Sequence, residues 1–108
     1  MLKNIKTRVI IELVNEVVYQ EGQVVSKTLS QNDAMSLTLF AFDKGEGLSK
    51  HTALGDAMVT ILDGSAKITI GNDEFFPKAG ETLVMPANIP HSLDAIEPFK
   101  MQLLVVFK

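Results

Sequence analysis

Two histidines, His51 and His91, are the only imidazoles in the chain, and there is no cysteine. An imidazole can exchange a proton near neutral pH, ligate a metal through a neutral ring nitrogen, or hydrogen-bond a polar ligand. His51 follows a glycine-rich stretch, Gly45-Glu46-Gly47, and His91 follows the turn Pro86-Ala87-Asn88-Ile89-Pro90. Taken singly, His51 reads as a solvent-facing or backbone-bonded side chain and His91 as a group that satisfies a buried carbonyl. A fold that joins the two loops turns them into one site with two convergent rings.

Other chemistry is thin. Without cysteine there is no thiolate nucleophile, disulfide or Cys-based zinc or iron-sulfur site. Ser49 and Ser92 are near the histidines in sequence, yet neither sits in a nucleophile elbow. Met35, Met58, Met85 and Met101 read as flexible core and pocket lining; Met58, Met85 and Met101 would otherwise be soft donors suited to copper(I). Glu46, Asp56 and Glu81 read as turn or rim charges, with Asp56 a secondary candidate for orienting His51.

The elements that would position the pair are strands. Turn formers recur at short intervals, among them Gly22, Gln31-Asn32-Asp33, Asp63-Gly64, Gly71-Asn72-Asp73 and Lys78-Ala79-Gly80. Between them eight β-rich runs are expected, at 24–29, 36–42, 57–62, 66–70, 73–76, 82–85, 92–95 and 101–107. The runs 58–62 and 103–107 are apolar on both faces, which calls for a second layer or a partner copy. Residues 1–21 form an N-terminal arm, read as a helical turn leading into a first strand. At 108 residues, 46% of them hydrophobic, 1–108 reads as one folded domain. A net charge of −3 gives no footprint for nucleic acid, and no apolar stretch is long enough for a membrane span or signal core, so the protein reads as cytoplasmic.

Two segments resemble the paired motifs of the cupin superfamily. Gly45, five residues, His51-Thr52-Ala53, three residues, Ala57, six residues and Gly64 follow the spacing of the first motif, about 45–64. Gly80, five residues, Pro86-Ala87-Asn88, two residues, His91, three residues and Ala95 follow the second, about 80–95. The resemblance implies an all-β fold, a cupin-like double-stranded β-helix or jelly-roll barrel of two antiparallel sheets, with His51 and His91 near its open mouth. It also implies a divalent metal (Fe, Mn, Zn, Ni or Cu) held by three histidines and a glutamate. Of those four positions only His51 and His91 carry a ligand, because Ala53 stands for the second histidine and Ala57 for the glutamate.

Strand alternation puts Ala57, Val59 and Ile61 on the face that looks into the site. The expected pocket is therefore mostly apolar, lined by His51, His91, Ala53, Ala57, Val59 and Met85. The leading functional expectation is a small-molecule-binding or sensing domain, acting as a homodimer, with no certain cofactor. The alternatives are a metal-dependent enzyme of dioxygenase or isomerase type, with His51 and His91 as an incomplete ligand set, and a barrel kept only for structure or assembly.

Overall fold

Turn residues divide the chain into nine strands: β1 (Val24–Gln31), β2 (Met35–Phe42), β3 (Gly47–His51), β4 (Asp56–Asp63), β5 (Lys67–Ile70), β6 (Asp73–Phe75), β7 (Thr82–Met85), β8 (His91–Asp94) and β9 (Phe99–Val106). The computed structural model describes all residues, 1–108. Eight of these strands correspond to the β-rich runs of the sequence. The ninth, β3, was expected to be loop. Its sequence Gly-Leu-Ser-Lys-His has one apolar side chain in five, and it is a sheet edge, where a strand needs little apolar character of its own.

All pairings are antiparallel, in a five-stranded sheet of order β1-β2-β9-β4-β7 and a four-stranded sheet of order β3-β8-β5-β6. Together they make a double-stranded β-helix. The β5–β6 hairpin turns on Gly71-Asn72, with Ile70 opposite Asp73. Gly71 takes a φ of 59° there, a left-handed value that favours glycine.

The core lies between the sheets. Phe42, Val59, Ile61, Phe99 and Met101 from one sheet meet Ile68 and Leu93 from the other in one buried cluster. Phe42 and Phe99 stack with centroids 4.5 Å apart. This packed end closes the barrel.

The outer face of the five-stranded sheet is covered only in part. Ile5, Leu13, Val17 and Tyr19 of the N-terminal arm pack on Leu29, Leu39 and Ala41, forming a second cluster outside the barrel. The arm has one short 3-10 turn, Leu13–Asn15. Its attachment is polar as well: Lys100 Nζ donates to Val14 O at 2.7 Å, and Tyr19 OH donates to Asp63 Oδ2 at 2.5 Å. The arm thus lays a second layer over β1 and β2, reaching only Leu62 of the two-faced runs 58–62 and 103–107 for which such a layer was expected. Beyond the arm's reach Met58, Val84, Val106 and Phe107 stay exposed.

Candidate functional site

Backbone register places the two histidines side by side. His51 ends β3 and His91 begins β8, and they are direct cross-strand partners after an irregularity between Leu48 and His51. Close approach of these strands depends on Gly47, where a Cβ would lie 2.2 Å from Leu93 O. The ring centroids are 4.4 Å apart, edge to face, with planes at 67°. His51 is exposed and His91 is buried, at 4% relative exposure.

Each ring is anchored by its Nδ1 to a backbone carbonyl two residues earlier. His51 Nδ1 lies 2.7 Å from Ser49 O, and His91 Nδ1 lies 3.1 Å from Ile89 O. A carbonyl oxygen only accepts, so both Nδ1 atoms carry the hydrogen, and in the neutral ring Nε2 is left as an acceptor. No unpartnered polar side-chain atom is sealed inside the protein. His91 has no other side-chain bond, so its Nε2 opens onto accessible space.

That space is a cavity of about 50 Å³ beneath the two rings. Ala57, Met85, Met101, Leu103 and Val105 form the wall from β4, β7 and β9. Leu48, Leu93 and Ala53 complete it on the histidine side. Water occupies roughly 10–15 Å³ by such a measure, so the cavity takes a molecule of only a few non-hydrogen atoms, with more room at its mouth.

Two loops form the rim and are bonded to each other. Ala87 N–H donates to Asp56 Oδ1 at 2.8 Å, and Asn88 N–H donates to Ala53 O at 2.8 Å. Asn88 holds a φ of 65° in this turn, where the cupin motif has glycine. Asparagine tolerates that backbone better than most residues. Asp56 thus ties the segment leading to His91 to the start of β4, and makes no bond to His51.

Among the residues singled out from the sequence, His51, His91, Ala53, Ala57 and Met85 surround the cavity. Val59 does not. It faces inward as alternation requires, but it is fully buried in the closed core with Phe42, Ile61 and Phe99. Met101, read with the other methionines as pocket lining, also borders the cavity, whereas Met35 and Met58 do not. Leu48, Leu93, Leu103 and Val105 were not singled out, although the period-two pattern of β9 was sufficient to find the last two.

A resident divalent metal does not fit this donor set. Such an ion needs about three nitrogen or oxygen ligands from the protein. No group of three or more His, Asp or Glu side chains comes together anywhere in the chain. Thioether sulfur in Met85 and Met101 is a weak substitute for the missing imidazole and carboxylate.

Comparison with known proteins follows the same lines. The family model for the cupin domain matches residues 38–107. A conserved protein of unknown function from Streptococcus pyogenes superposes with a TM-score of 0.97 at 43% identity, over 99% of this chain and 94% of that one. A cupin superfamily protein from Desulfitobacterium hafniense gives 0.95 at 30% identity, over 100% and 99%. A cupin 2 conserved barrel domain protein from Leptotrichia buccalis gives 0.87 at 46% identity over 89% of this chain, which spans 47% of that longer one. No curated protein matches the chain.

Proposed function

This chain belongs to the cupin domain family, and from that premise we propose that it is a small-molecule-binding cupin whose ligand sits under His51 and His91 in place of a metal. The observation that carries the reading is the composition of the cavity. Two imidazoles converge at its mouth, and every other lining side chain is aliphatic or a thioether. An apolar chamber with a few convergent polar groups is the usual form of a site that recognises a small organic molecule. Burial of the ligand's apolar part contributes affinity, and the imidazoles fix its polar end.

The metal-enzyme reading needs a third donor. The positions that would supply it by cupin spacing are Ala53 and Ala57, whose methyl groups line the cavity. A role confined to structure does not account for two imidazoles held edge to face with their outer nitrogens free.

The same proposal includes a homodimer. Met58 and Val84 are cross-strand partners on the outer face, both exposed, and Val106 at the end of the last strand and Phe107 just after it are exposed as well. A second copy would remove this apolar surface from water.

A titration of cavity-sized alcohols, amides and acids, followed through the methyl signals of Ala53, Ala57, Met85 and Met101, tests ligand binding. Saturable shifts confined to these methyls are expected with at least one compound class, and they should be lost in His91→Ala. Shifts scattered over the surface, or none, would contradict the proposal.

A further inference from the structure

Resting on the small-molecule reading of this same cavity, we infer that its ligand class is the uncharged hydrogen-bond donor, typified by a primary amide, rather than a carboxylate. With both Nδ1 hydrogens committed to Ser49 O and Ile89 O, the cavity offers lone pairs and no hydrogen. The remaining walls, Ala57, Met85, Leu93 and Leu103 among them, bring no donor either. Against the neutral rings a carboxylate would face two acceptors and an apolar lining. Its charge would be desolvated without compensation. An ammonium would find acceptors, but no acidic side chain lines the cavity to balance its charge.

A neutral N–H or O–H group meets neither obstacle. An NH2 group bonding at about 2.9 Å to each of two acceptors spans roughly 5 Å between them. The two rings are adjacent, with centroids 4.4 Å apart, and both line the cavity. One amide group can therefore reach the adjacent rings while its alkyl end enters the aliphatic chamber. Discrimination follows from the unpaired nitrogen: a ligand that lacks the hydrogens leaves His91 Nε2 desolvated and unbonded, a site geometry that rejects analogues strongly.

The experiment uses three compounds with the same number of non-hydrogen atoms: propionamide, butan-2-one and propionate. They differ only in ending on NH2, CH3 or O⁻. Each is titrated into the intact protein at mildly alkaline pH, with neutrality of both rings read from their nitrogen signals. Long-range nitrogen-proton spectra of the two imidazoles are recorded alongside. The expected result is hydrogen on Nδ1 of both rings, with propionamide binding about tenfold or more tighter than either analogue. His51→Leu, at an exposed position, should reduce that preference to a few-fold while the cavity methyls still respond. Hydrogen on Nε2 of either ring, or butan-2-one or propionate binding as well as the amide, overturns the ligand class alone. Failure of all three to shift the cavity methyls overturns the class together with the small-molecule reading.

Discussion

At Ala53 and Ala57 the side chain stops at a methyl group, in positions where the cupin motif would carry an imidazole and a carboxylate. Both methyls face the cavity that His51 and His91 cap. Restoring the donors should restore a metal site. The double variant Ala53→His/Ala57→Glu is expected to bind about one equivalent of zinc, against no defined stoichiometry for the natural sequence, in a calorimetric titration. The histidines themselves differ in structural weight. His91→Ala removes a buried ring together with its bond to Ile89 O and should cost about 1–3 kcal/mol in chemical denaturation; His51→Ala, at the exposed ring, should cost less than about 1 kcal/mol. Most of this residue-level picture was legible in the sequence, because period-two alternation carries Ala57 and Met85 inward. It failed at Val59, since alternation gives the face of a strand but not the depth at which a barrel closes. The anchoring of both Nδ1 atoms was not legible at all, as it depends on backbone carbonyls whose direction only the folded turns define.

Strand β3 shows what a sequence pattern cannot carry. Its polar residues conform to an edge because β8 supplies the hydrogen bonds and Gly47 lets the two backbones meet. Gly47→Ala forces a carbon against Leu93 O. It should destabilise the protein by about 1–3 kcal/mol and weaken propionamide binding, because β3 carries His51 into register with His91. The arm is a second case: its short apolar groups gave a helical turn, which the structure keeps as 13–15, but not its destination on the outer sheet face. One consequence is a pH dependence. Burial, then the hydrogen bond to Asp63 and the charges of Asp63 and Glu97, hold the Tyr19 phenol above its ordinary pKa. The folded state therefore favours the protonated phenol. The resulting stability is fully present below the ordinary value of about 10 and is lost progressively as pH rises beyond it. Unfolding free energies measured across that range should fall more steeply for the natural protein than for Tyr19→Phe.

Over the whole molecule, two sheets enclose one cavity at the open end of a barrel and a packed aromatic core at the other. The fold class was legible throughout, because turn residues and short β-rich runs recur with jelly-roll spacing. Assembly is the property at this scale that sequence only suggests. The arm covers one part of the outer face and leaves Met58 and Val84 uncovered. Sedimentation should show a dimer for the natural protein, and a monomer with unchanged circular dichroism for Met58→Glu/Val84→Lys. What unites the scales is a chamber walled by hydrocarbon and capped by two imidazoles, the site proposed for an organic ligand. Its most direct test is a crystal structure of protein purified without an affinity tag, with anomalous data collected across the iron, copper and zinc edges. Water or organic density under the two rings, without an anomalous peak, is the predicted result; an anomalous peak about 2.0–2.1 Å from both Nε2 atoms would contradict it.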